Sequence, residues 1–111
     1  MNPLGASTWI WTSPFGDASL GLVGRAKEFG FDVLELAVEE PEAITPARLR
    51  AAGEDAGVTF TVCGAFGPQR DLSHDDPAIR RIGIDYVKAC VDLAAVLGAP
   101  HFAGPMYSAV G

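Results

Sequence analysis

The chain has two cysteines in 111 residues, Cys63 and Cys90, far apart and in no metal-ligand spacing. They read as two reduced, buried thiols rather than as a disulfide framework or a thiolate metal site. Basic residues are also few, eight against fourteen acidic ones, for a net charge of −6. Arg25 and Lys27 lie close together and Arg80 and Arg81 are adjacent, but no basic stripe forms. A nucleic-acid binder needs such a stripe to displace counterions from phosphates, so a DNA- or RNA-directed role is disfavoured. No apolar run is long enough to span a bilayer, so no membrane partner is expected. No basic stretch followed by an apolar run opens the chain, and the cytoplasm is the expected location. There is no G-x-G-x-x-G after the first apolar segment and no P-loop, so nucleotide binding has no support. H-x-x-x-H and C-x-x-C are missing as well, which leaves no local metal signature.

What is present is an ordinary globular balance, 49% hydrophobic and 20% charged residues, sufficient for one domain over residues 1–111 with a modest core. Three times a helical pattern ends at a glycine and a β-rich run follows almost at once: "EFG-FDVLEL", "DAG-VTFTV" and "VLG-APHFAG". That alternation predicts an α/β fold with about four parallel strands and three helices. Residues 4–11 read as strand one. Asp17 is placed to cap a helix over 18–29, in which Leu20, Val23, Ala26 and Phe29 recur at about helical spacing. Residues 31–38 read as strand two.

The second helix starts at Thr45 as N-cap with Pro46 at its first position, and Ile44 and Leu49 sit where a hydrophobic staple places them. Gly57 fits the left-handed position past its end, and residues 58–63 form strand three. Asp76 and Pro77 repeat the cap-plus-proline start. Ile79, Ile82, Tyr86, Cys90, Leu93 and Leu97 then trace one apolar face of a helix about 30 Å long. Gly98 stops it, and residues 100–103 begin strand four. Periodicity alone does not separate an open doubly wound sheet from a barrel.

In either form, ligands bind at the carboxyl ends of the strands. Glu35 is the most informative residue there, a carboxylate inside an apolar strand that shares a face with Val33 and Ala37. It must be paired, hydrated or protonated: a structural ion pair, an outward-facing acid, or a residue in or under a site. His101 alternates with Ala103, as a hydrogen-bonded core or site-rim histidine or as a ligand. Trp9 and Trp11 flank Ile10 and either fill the core or offer rings to a sugar. Cys63, at a strand end, either touches substrate or is simply a small buried residue. Gly104 lets a ligand or a neighbouring backbone approach closely.

Three stretches, "FDVLELAVEEP", "VTFTVCGAFGPQRDLSHDDPAIR" and "LGAPHFAGPMYSAVG", resemble the D-tagatose 3-epimerase/D-psicose 3-epimerase group. That group belongs to the xylose-isomerase-like barrels, with inosose dehydratases, hydroxypyruvate isomerases and endonuclease IV as relatives. The resemblance implies the N-terminal half of a (β/α)8 TIM barrel. It also implies a parent enzyme that inverts a ketose carbon by proton transfer through an enediolate. A divalent metal (Mn, Co or Mg) would serve that parent; its ligands, two glutamates, an aspartate and a histidine, belong to strands five to eight, so no metal is expected in this chain alone. By the same resemblance Trp11, Glu35, Cys63 and Gly104 correspond to positions near a small sugar or polyol. The first strand, "GASTWIW", carries fewer aromatics than the epimerases do. An inosose dehydratase-like enzyme and a non-catalytic assembly module are the alternatives. Open apolar sheet edges in a half-barrel predict association into a homo-oligomer.

Overall fold

A computed structural model describes residues 2–111. Its strands are β1 (Gly5–Ser7), β2 (Val33–Val38), β3 (Thr59–Gly64) and β4 (Phe102–Ala103). Between them run α1 (Gly21–Glu28), α2 (Pro46–Ala56) and α3 (Pro77–Leu97). The strands form one sheet in the order β1-β2-β3-β4, every neighbouring pair parallel. Each crossover therefore carries a helix, as parallel pairing requires.

The register separates the two faces of the sheet. Leu34, Leu36 and Val38 of β2 stand beside Phe60, Val62 and Gly64 of β3, and these side chains are buried beneath the helices. Val23 and Ala26 of α1, Leu49 of α2, and Tyr86, Cys90 and Leu93 of α3 close over them. Each fully buried Leu or Val in this layer stabilises the fold by about 1.5–3 kcal/mol. The opposite face carries Ser7, Val33, Glu35, Thr61 and Cys63, small or polar and only partly buried. No helix of the described residues is long and apolar enough to cross a membrane.

Strand one is shorter than its apolar pattern predicts. It stops at Ser7, and Thr8–Ile10 forms a 3-10 turn. The Ser7 hydroxyl accepts the Trp9 N–H at 3.3 Å, and the Thr8 carbonyl accepts the Trp11 N–H at 3.0 Å. Such local bonds compete with a strand ladder. The buried Thr8 hydroxyl then takes the place of a strand backbone, accepting the Ala37 N–H at 3.0 Å.

Asp17 does not cap a helix beginning at residue 18. It opens a separate 3-10 turn, Asp17–Ser19, and α1 begins only at Gly21. Its carboxylate instead reaches the start of α2, accepting from the Thr45 N–H at 2.8 Å and the Thr45 hydroxyl at 2.6 Å. Arg48 adds an ion pair at 3.3 Å. Thr45 is thus the residue before α2, as its sequence position predicts, but its hydroxyl is spent on Asp17 and not on its own helix. The other signals act where they fall. Pro46 and Pro77 open their helices, Asp76 accepts the Ala78 N–H at 2.9 Å, and Gly57 and Gly98 close α2 and α3 at φ of 70° and 67°.

The hydrogen bonds from Thr45 hold the Asp17 carboxyl below its ordinary value. A carboxylate whose pKa falls on folding stabilises the protein fully above the unfolded value of about 3.9, and the effect is lost as pH drops through the lower folded value. Asp17→Asn should therefore lower the melting temperature at pH 7, with the gap to wild type closing in acid. Thermal melts between pH 7 and pH 2.5 measure this; a gap constant across that range would contradict it.

Candidate functional site

The carboxyl ends of the four strands open onto a cleft of about 350 Å³. Trp9 lines it after β1, Glu39 after β2, Gly64 at the end of β3 with residues 65–67 and Arg70 following it, and Pro105 after β4. Trp9 is 48% exposed, and its indole N–H donates to Glu39 Oε1 at 2.8 Å. The Ser13 hydroxyl also reaches Glu39, at 2.7 Å from Oε1 and 2.9 Å from Oε2. One carboxylate therefore fixes both the tryptophan ring and the loop that follows it.

Behind the cleft, Tyr86 of α3 is buried with its hydroxyl donating to the Val38 carbonyl and accepting the Ala65 N–H at 2.8 Å. Burial pushes the phenol well above its usual pKa, so it stays a neutral donor at all working pH values. Phe66 packs edge-on against the Tyr86 ring, centroids 5.3 Å apart. The Val110 N–H donates to the Phe66 carbonyl at 3.0 Å, which draws the last residues along the cleft's edge.

Of the residues singled out by sequence, Glu35 and Cys63 come together. Both lie half-buried on the uncovered face of the sheet, Glu35 beside Ser7 and Thr61, Cys63 beside Ala37 and Ala103. Glu35 borders a hollow of about 220 Å³ with Ser7, Val33 and Thr61. The ion pairs among the described residues do not include it. The Cys63 thiol is pushed up by burial and then by the Glu35 charge. Gly104 has φ +155°, and a Cβ there would lie 3.0 Å from the Gly64 carbonyl oxygen. The close approach is to neighbouring backbone, next to the cleft.

Trp11 is placed differently. Because the 3-10 turn ends the strand alternation, Trp11 turns toward α1, stacked on Phe29 at 6.2 Å and edge-on to Phe31 at 6.3 Å. Trp9 is the tryptophan in the cleft. His101 is exposed and precedes β4, where its carbonyl accepts the Val62 N–H at 3.1 Å, so it is neither in the core nor at the carboxyl-end rim. His74 is held in its loop, Nδ1 accepting the Asp76 N–H at 2.9 Å. Among the described residues no three His, Cys, Asp or Glu side chains gather as metal donors.

Residues 23–109 match the family described as xylose isomerase-like TIM barrel. The chain belongs to the xylose isomerase-like TIM barrel family. Its α/β fold corresponds to the N-terminal part of such a barrel. Among curated proteins it is 28% identical to the ketose 3-epimerase of Arthrobacter globiformis and 29% identical to a probable ketose 3-epimerase of Synechocystis sp.. Each match covers 96% of this chain but 37% of the relative. Among solved structures it superposes on a D-allulose 3-epimerase from Methylomonas sp., bound to D-allulose, with a TM-score of 0.88 at 22% identity. That match covers 96% of this chain and 38% of the other. An L-ribulose 3-epimerase gives 0.87 at 21%, covering 100% and 38%. Within a family barrel, the face bearing Ser7, Glu35, Thr61 and Cys63 corresponds to the barrel interior, and the cleft lies at the carboxyl ends of the strands.

The Cys63–Glu35 coupling is measurable. Glu35→Gln removes the nearby negative charge, so the Cys63 thiol should ionise at lower pH. Iodoacetamide labelling of Cys63 at pH 8, read by peptide mass spectrometry, should be faster in the variant. An unchanged or slower rate would contradict the coupling.

Proposed function

We propose that this chain forms the sugar-binding N-terminal part of a ketose 3-epimerase, in which a proton leaves and returns at C3 of a ketose through an enediolate. The observation that carries the reading is the cleft at the strand ends, with an aromatic ring fixed by a carboxylate, in a chain matching a ketose 3-epimerase and a probable ketose 3-epimerase over 96% of its length. The exposed Trp9 face offers apolar surface to the C–H side of a sugar. Glu39 accepts from two donors, the Trp9 indole N–H and the single Ser13 hydroxyl proton shared between its two oxygens, which leaves lone pairs for a sugar hydroxyl. Glu35 and Cys63 line the barrel interior below, and Gly104 keeps the β3 and β4 ends in contact at the cleft's edge. Trp11 contributes through the packing of the loop that carries Trp9. The divalent cation proposed for the whole enzyme is held by residues outside these four strands.

The test is to incubate the whole protein, supplied with Mn²⁺ or Co²⁺, with D-fructose, D-allulose, D-tagatose and L-ribulose in D₂O. The C3 epimer should form, with deuterium at C3 read by NMR. Trp9→Ala should raise KM roughly tenfold, equivalent to about 1.4 kcal/mol of lost sugar contact. A folded protein that yields neither epimer nor C3 exchange on any of these ketoses would overturn the proposal, and loss of water from a polyol would point to a dehydratase.

A further inference from the structure

Arg70 reaches the cleft from the connection after β3, and its contacts are unusual for a cation in so acidic a chain. None of the ion pairs among the described residues includes it. Its guanidinium instead lies 4.0 Å over the Tyr86 ring. Nη2 donates to the Glu39 carbonyl at 2.6 Å, and Nη1 to the Ala65 carbonyl at 3.3 Å. Those carbonyls belong to the residues immediately after β2 and β3. Tyr86 holds the same two strand ends from behind, through the Val38 carbonyl and the Ala65 N–H. A planar fork can bridge two carbonyls while resting on an aromatic face, which a lysine ammonium cannot do.

α3 is cut away to seat this arginine. At Gly83 a Cβ would lie 2.7 Å from the Arg70 carbonyl oxygen and 2.8 Å from a Leu72 methyl. The restraint continues outward, because the Glu39 backbone that Arg70 holds carries the carboxylate that fixes Trp9. Tyr86, Arg70, Glu39 and Trp9 thus form one chain of contacts from the core to the cleft.

We propose that Arg70 is a positioning residue that sets the Glu39–Trp9 pair for sugar binding, acting on affinity and not on the proton transfer. The proposal rests on the ketose-binding reading for its kinetic effect, and on the contacts alone for its structural effect.

The test uses the whole protein with two readouts. The Trp9 indole N–H is followed by ¹⁵N NMR, assigned by its loss in Trp9→Phe. In Arg70→Ala this signal should move toward that of an unbonded indole. KM for the ketose should rise about tenfold with kcat within about threefold of wild type, and added guanidinium ion should partly restore KM. Arg70→Lys should behave like Arg70→Ala. Gly83→Ala, which keeps the arginine but displaces its carbonyl, should shift the indole signal in the same direction and serves if Arg70→Ala does not fold. An unmoved indole signal, or a fall in kcat with KM unchanged, would overturn the proposal. If the protein proves to have no epimerase activity, the indole signal still decides whether Arg70 positions Trp9, and only the functional reading falls.

Discussion

Side chains of a strand alternate between faces, so the unbroken parallel register from Val33↔Thr59 to Val38↔Gly64 commits two strands at once. Leu34, Leu36, Val38, Phe60 and Val62 must all face the helices, and Glu35, Thr61 and Cys63 must all face the other way. A slip of one residue would bury the carboxylate under α2 and α3 and strip the core of its largest side chains, so the register is strongly specified. The same alignment brings Glu39 and residues 64–67 out together at one end, and the cleft exists because both strands stop at the same level.

Strand ends are poorly held by the ladder itself, since their last carbonyls lack partners. Here two side chains supply them. Tyr86 takes the Val38 carbonyl and the Ala65 N–H, and Arg70 takes the Glu39 and Ala65 carbonyls. Both anchors arise on the β3–α3 side of the fold, while their effect is felt after β2 and, through Glu39, after β1. The first connection is tied down a second time by Asp17 at the start of α2. The loops around the cleft are thereby given the rigidity of the elements beneath them, which lowers the cost of ordering the proposed binding surface around a ligand.

The repeating glycine-to-strand boundaries made the α/β order legible in sequence, and Pro46, Gly57, Asp76, Pro77 and Gly98 mark helix ends where the structure has them. Alternation placed Glu35 on one face with Val33 and Ala37, and the register of β2 with β3 adds Cys63 to that face. What could not be read were contacts across connections. Asp17 and Thr45 each looked like a cap for its own helix, yet they bond to each other across 28 positions. Trp9 and Trp11 looked equivalent until the Ser7 hydroxyl and the Thr8 carbonyl closed a 3-10 turn and gave the rings different neighbours, Glu39 for Trp9 and Phe29 for Trp11. Glu39 stood out only by its place at the carboxyl end of a strand, and Arg70 gave no signal, because an arginine in a polar loop is an ordinary surface residue by pattern. Tyr86 was visible only as one member of an apolar helix face; its hydroxyl was the missed clue.

The proposed function requires a sugar to sit in the cleft between Trp9 and residues 64–67. A crystal structure of the whole protein with a bound ketose tests this most directly. The sugar should lie against the Trp9 ring with a hydroxyl oxygen about 3 Å from a Glu39 carboxylate oxygen, the Trp9–Glu39 bond intact. A ketose bound with no contact to Trp9 or Glu39, or Trp9 released from Glu39 when the sugar is present, would contradict it.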